Sequence, residues 1–347
     1  MADFRPFRAW RYNPEKADFQ QVIAPPYDVI SEEAQEKFYR RSPLNCIRLI
    51  LNKIEASDTE THNRYTRARD CFAEWRRDEI LIREEKPCFY LYRQTFHELR
   101  PGPEKTRIAL LGRLKLEPFE KGVVVPHEKT LSKPKEDRRK LLEATETNFS
   151  PIFGLYDDPK KEVGAVIRDI FSRPPFYDAL DDENVRHEVW IIDDPKVIER
   201  LQTIFKHHKI YIADGHHRYQ TSLDHSVRVR EKLKTSAETE IPSDFILMAL
   251  VDFYDPGLVL MPTHRMILPF EGLEPGAAVK ALEPFFEVRK ISSDKIFEEL
   301  RGNKPSEKNG PPLASFGLVF QNGDAYFLRL KDLQKAKGKM GIAKADA

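Results

Sequence analysis

Residues 214–218, Asp214-Gly215-His216-His217-Arg218, gather a carboxylate, a turn-forming glycine, two imidazoles and a guanidinium into one short stretch. Upstream, Ile210 and Ile212 alternate with Tyr211 and Ala213 as in a short buried strand, and Asp214-Gly215 then turns the backbone. Tyr219, Leu223 and Val227 recur at four-residue spacing, which predicts a helix whose first turn holds His216, His217 and Arg218. Backbone N–H groups at a helix start have no partner within the helix, and the dipole there attracts anions. Strand, acid, glycine turn and basic helix start come in the order used by nucleotide-phosphate sites. The chemistry indicated is phosphoryl transfer, with Asp214 placed to hold a metal or orient a hydroxyl. The structural alternative is a histidine pair that caps the helix or pairs with a nearby carboxylate.

The flanking pattern predicts how this stretch is positioned. Val189–Ile192 reads as a strand, Asp194-Pro195 opens a helix with Val197, Leu201 and Ile204 inward, and residues 209–213 form the next strand. This α/β crossover puts the Asp214 turn at a strand's carboxyl end, where open α/β sheets bind ligands. Near the start of the chain, Pro25-Pro26 holds Ala24–Asp28 extended, and Ser31 caps a helix running to about Arg41. Two roles are open to Asp28: the base for a substrate hydroxyl, or a cap of the following helix.

Asn45–Leu51 reads as a buried strand whose Arg48 pairs with an internal carboxylate or contacts phosphate. Residues 58–79 form a helix with Tyr65, Ala68, Phe72 and Trp75 on one stripe, and 87–97 with 107–117 form a hairpin. His127-Glu128 lacks the second histidine of a zincin because position 131 is Leu131, leaving Glu128 as a magnesium or substrate ligand or as a solvated loop residue. Ser132–Lys140 begins a helix, residues 159–171 form a short one, 245–253 a strand, and 276–302 are mainly helical. Asn322-Gly323 marks a hairpin between 314–320 and 325–330. His264 and Arg265 either face the phosphate turn from an adjacent strand end or form a polar strand exit.

The Asp214–Arg218 stretch resembles the signature of free serine kinases in the superfamily that joins the partitioning protein ParB with sulfiredoxin. Ala24-Pro25-Pro26-Tyr27-Asp28-Val29-Ile30, Asn148-Phe149-Ser150-Pro151-Ile152-Phe153 and Pro262-Thr263-His264-Arg265 resemble a broad prokaryotic family long labelled as of unknown function. That family repeats the stretch holding Lys135 and Arg138, which adds both as phosphate-binding candidates. The resemblance implies a mixed α/β fold: a ParB/sulfiredoxin-like core with a mixed sheet, enlarged by insertions. The core then takes 1–80 and 186–270, an inserted α/β region 81–185, a C-terminal helix and hairpin 271–334, and a tail 335–347.

It also implies a kinase that phosphorylates free L-serine or a similar small hydroxyl metabolite, with ATP or ADP as donor and Mg2+ as cofactor. Gly215, His216, His217 and Arg218 then hold phosphates, and Asp214 holds Mg2+ or orients the hydroxyl. His217, Asp214 and Asp28 make up the catalytic set. In the resembling kinases an upstream glutamate is the base; no glutamate here matches it, and Asp28 is the candidate in its place. His216 stands where sulfiredoxin carries its cysteine, which argues against reductase chemistry.

Composition narrows the alternatives. The 347 residues carry 57 basic and 56 acidic side chains, a net charge of +1, so no overall field draws the chain to nucleic acid or membrane. An apolar content of 40% is enough for a sizeable core in one or two domains. Cys46, Cys71 and Cys88 lie far apart without metal-site spacing, and no signal-peptide or membrane-length apolar run occurs, which together predict a cytoplasmic protein. Walker, dinucleotide-fingerprint and protein-kinase motifs are absent. Two other classes stay open: a ParB-like nucleotide-binding regulator that phosphorylates no acceptor, and a metal-dependent hydrolase using His216 or His217 with Asp214. Adjacent histidines diverge on a helix, which weakens the latter.

Overall fold

The computed structural model describes residues 1–97, 103–127, 132–236, 238–259, 264–268, 274–302, 314–332 and 336, and the side chains of 132–135, 301 and 302 lie outside that description. The chain divides into two compact units, Met1–Leu260 and Met261–Ala347. Among the described residues no helix is long and apolar enough to cross a membrane.

The first unit runs β1 (Phe4–Arg5), β2 (Trp10–Tyr12), α1 (Phe19–Val22), α2 (Glu32–Arg41), α3 (Ile47–Ile50), α4 (Arg64–Arg77), β3 (Leu81–Arg83), β4 (Phe89–His97) and β5 (Glu104–Lys115). It continues through β6 (Val124–Val125), α5 (Ser132–Thr145), β7 (Ile152–Tyr156), α6 (Glu162–Ile167), β8 (Tyr177–Leu180) and β9 (Arg186–Ile192). It closes with α7 (Pro195–Phe205), β10 (Ile210–Asp214), α8 (His216–Leu233) and β11 (Phe245–Asp252). The second unit contains α9 (Pro275–Leu282), β12 (Phe286–Ile291), α10 (Ile296–Gly302), β13 (Ser315–Val319) and β14 (Ala325–Leu330), its strands ordered β12-β14-β13.

A nine-stranded mixed sheet organises the first unit in the order β6-β10-β7-β11-β5-β4-β9-β8, with β1 added to β5. Alternation along its central strands gives it two apolar faces. Leu110, Leu114, Met248 and Leu250 join a core with Leu201 and Phe205 of α7 and Tyr219 of α8, while Ala109, Leu155, Ala249 and Val251 face the other way. A smaller core packs Leu49 against Phe72, Trp75 and Leu81. Strands from 81–185 and from 186–270 share the one sheet.

Several elements differ from the sequence expectation, each for a local reason. The 45–51 stretch is a helical turn instead of a strand. Buried Asn45 accepts from Ile47 N–H at 3.0 Å and donates to the carbonyls of Gln21 and Ile23 at 2.8 and 3.0 Å, so its side chain bends the backbone where a ladder would need it extended. Helix α4 starts at Arg64 because Asn63 and Thr66 form a reciprocal capping box. Asp158, 2% exposed, accepts from the N–H groups of Glu162 and Val163 and delays the α6 start to Glu162. Within 276–302, Phe286–Ile291 pairs antiparallel with β14. Val227 is exposed, because the buried side of α8 carries His216, Tyr219, Thr221, Ser222 and Ser226.

Candidate functional site

Strand β10 runs parallel to β6 and antiparallel to β7, so the carboxyl ends of β6 and β10 and the start of β7 lie at one sheet edge. A register shift between Ile212 and Asp214 sets Asp214 opposite Phe153 as the strand ends. Gly215 then adopts φ 97°, in the left-handed region where a side chain is strained, and α8 begins with no side chain capping it. A Cβ at Gly215 would also lie 3.0 Å from an Arg218 nitrogen, so the turn needs glycine on two counts. Fully buried Tyr219 anchors the first turn: its hydroxyl donates to the Glu117 carbonyl and accepts the Glu117 N–H, both at 2.9 Å, while its ring stacks 5.1 Å from Phe119. Burial pushes that phenol well above its usual range, so it stays protonated and purely structural.

The histidines of this edge divide into different roles. His216 is 2% exposed, and its Nε2 accepts from the His127 backbone N–H at 3.3 Å. An accepting Nε2 carries no proton, and the buried His216 ring packs inward at the start of α8. His127 stands 4.5 Å from it, ring edge to ring face, with Nδ1 bonded at 2.7 Å to the Ile212 carbonyl. A carbonyl only accepts, so Nδ1 carries a proton in that bond, which leaves Nε2 of exposed His127 outside it. His217 is half-buried, and its enclosed Nδ1 has no hydrogen-bond partner among the described residues.

Arg218 ties three segments together. One of its terminal nitrogens donates to Ser150 Oγ at 3.2 Å and to the Pro151 carbonyl at 2.6 Å; the other donates to Asp214 at 2.5 Å. Asp214 remains 61% exposed at its side chain, with one carboxylate oxygen outside that pair. Nearby, Arg138 lies 3.7 Å over the Tyr27 ring, bonds to Asp137 and reaches the Ile50 carbonyl at 3.2 Å. Asp137 also pairs with Arg64 and accepts from Tyr65 at 2.8 Å. Burial pushes the Asp137 carboxyl up, but Arg138, Tyr65 and Arg64 together hold it below the ordinary carboxylate range. Burial likewise raises Tyr27, against the lowering fields of Arg138 and Arg218. The stretches 24–30, 135–138, 148–153 and 214–218, far apart in sequence, therefore meet here.

A cavity of about 50 Å³ lies between α5 and α8, lined by Arg138, Arg218, Ser150, Thr221 and Ser222 among others.

Of the remaining candidates, Asp28 and Lys135 belong to the 24–30 and 135–138 stretches and the others do not. Asp28 is exposed beside Tyr27 in a short 3-10 turn; Ser31, not Asp28, caps α2 by accepting from Ala34 N–H at 3.2 Å. Among the described residues Arg48 meets no carboxylate: it donates to the Tyr39 carbonyl at 3.2 Å and lies 4.3 Å over the Tyr39 ring. Glu128 and the side chain of Lys135 lie outside the described residues. His264 and Arg265 belong to the second unit and are exposed, His264 standing edge-on 6.2 Å from Phe297. Among the described residues no group of three or more His, Cys, Asp or Glu side chains gathers to hold a metal ion. The sequence weighs His127 only as half of an incomplete zincin motif, and its place after the apolar run Val123–Val125 was the one signal of where it lies.

Residues 4–345 match the family DUF1015, described as a protein of unknown function, and the chain belongs to that family. No curated protein and no solved structure matches it.

Proposed function

We propose that the chain is a nucleotide-dependent kinase acting on the hydroxyl of a small metabolite, with free L-serine the first acceptor to test. One observation carries this reading: an exposed carboxylate, a left-handed glycine, the uncapped start of an 18-residue helix and the exposed His127 imidazole share one sheet edge. Terminal phosphates of ATP or ADP would rest on the N–H groups of the α8 first turn, with His217 beside them. Asp214 suits a single Mg2+ ligand, because one of its oxygens lies outside the Arg218 pair and a nucleotide-bound ion needs only one or two carboxylates. When bound, that ion supplies neutralising charge to the phosphates.

The rest of the chemistry falls to this chain's residues. The acceptor oxygen bonds to the terminal phosphorus, the bond from that phosphorus to the bridging oxygen breaks, and the hydroxyl proton passes to a base. Nε2 of His127 is the first base on geometry, held in one tautomer by Ile212; Asp28 is the second, exposed at the Tyr27 turn. Phosphorus NMR of the protein with Mg2+, ATP or ADP and L-serine should give a phosphomonoester peak that requires serine. Nucleotide hydrolysis without any acceptor product across a panel of hydroxyl metabolites would replace this reading with that of a nucleotide-binding regulator.

A further inference from the structure

The cavity between α5 and α8 is lined on its polar side by two guanidiniums, from Arg138 and Arg218, and by no acidic residue. Asp137 and Asp214 pair with these arginines, yet neither carboxylate lines the cavity. Each guanidinium has five N–H donors, and three on each are engaged among the described residues, which leaves donors on both. Thr221 lines the same space at 4% exposure, and its enclosed hydroxyl has no hydrogen-bond partner among the described residues. Ser222, 5% exposed, lines it as well. A buried hydroxyl without a partner costs stability, so a cavity that joins one to two cations is built for a group that accepts hydrogen bonds and carries negative charge.

Size limits the ligand further. A water needs roughly 10–15 Å³ of such space, so about 50 Å³ takes on the order of four heavy atoms: a carboxylate and the carbon that bears it. A whole nucleotide does not fit within the cavity. Arg218 lies on both the cavity and the Asp214 turn, so a ligand held here by its carboxylate reaches toward the phosphate-binding edge with its other end.

We infer that this cavity is the subsite for the carboxylate of a small hydroxy acid or hydroxy amino acid. Naming that ligand the phosphoryl acceptor rests on the kinase reading; its binding does not. The test is calorimetry on the full chain without nucleotide, using L-serine, glycolate and ethanolamine, which carries the hydroxyl and amine of serine without its carboxylate. L-serine and glycolate should bind, ethanolamine at least about tenfold more weakly. Thr221→Val and, separately, Ser222→Ala should each weaken L-serine several-fold, with ADP titration of each variant as the check of a folded phosphate edge. Equal binding of ethanolamine and L-serine, or unchanged L-serine affinity in both variants, would overturn the subsite. Carboxylate binding without phosphoryl transfer upholds the subsite and defeats the kinase reading; transfer to an acceptor lacking a carboxylate, with no carboxylate bound in the calorimeter, does the reverse.

Discussion

Helix α8 carries two aspartate–arginine pairs of similar construction, Asp214–Arg218 at its start and Asp244–Arg230 toward its end. In each, one guanidinium nitrogen reaches backbone carbonyls, Pro151 in the first case and Ser236 with Thr239 in the second, while another holds the carboxylate. The carboxylates differ. Asp244 is 6% exposed and uses both oxygens, accepting from Ser226 Oγ at 2.8 Å, Ile241 N–H at 2.9 Å and Arg230. Asp214 is exposed and gives one oxygen to Arg218 alone. A saturated, buried pair staples a helix to its neighbours, whereas a half-used, solvent-facing carboxylate beside an uncapped helix start is available to a ligand.

The sharpest way to break this contrast is Asp214→Asn. Turnover should fall about 10³-fold while urea unfolding stays within about 0.5 kcal/mol of the parent. Near-normal turnover would remove Asp214 from the mechanism. Asp244→Asn should do the opposite, lowering unfolding free energy by about 3 kcal/mol because it leaves Arg230 without its buried counter-charge; a loss under about 0.5 kcal/mol would deny the staple.

The staple also has a pH signature. Burial pushes the Asp244 carboxyl up, but the Ile241 N–H, Ser226 and Arg230 outweigh it and hold it below the ordinary range. Its contribution is therefore present above the unfolded carboxylate value of about 3.9 and is lost as pH falls through the lower folded value. Melting curves of the parent and Asp244→Asn should separate at neutral pH and converge in acid.

Next in size, His127→Gln should lower turnover roughly 10²-fold and flatten the acid limb of the pH–rate profile, while Asp28→Asn leaves that limb in place. The reverse result would make Asp28 the base. Smallest is Tyr219→Phe, which removes both hydroxyl bonds to Glu117 and should cost about 1 kcal/mol in a denaturant titration with its stacking retained.

Much of the site's local form was legible in the chain. The alternation of Ile210 and Ile212, the Asp-Gly turn and the following basic helix all appear where their spacing predicts, as do the cap at Ser31 and the hairpin at Asn322-Gly323. What misled was polarity in buried positions. Asn45 sits in an apolar run but bends it, because an amide side chain can replace backbone hydrogen bonds. Val227 fits the helical period yet is exposed, since α8 buries Thr221, Ser222 and Ser226 instead. The ties of Arg218 to Ser150, Pro151 and Asp214 had no signal in the local spacing, since Ser150 and Pro151 lie more than 60 residues away in the chain.

The sequence by itself determined the turn: glycine after Asp214 takes, without strain, the left-handed conformation that aims the α8 start at the sheet edge. Tertiary structure alone decided which distant groups stand around it. Parallel pairing of β6 with β10 brings His127 beside His216, and packing of α5 on α8 joins Arg138 to Arg218 around one cavity. Local spacing fixes backbone conformation through short-range sterics and hydrogen bonds. Partners some 80 residues apart, such as Arg138 and Arg218, meet only once the sheet order and helix packing bring them together.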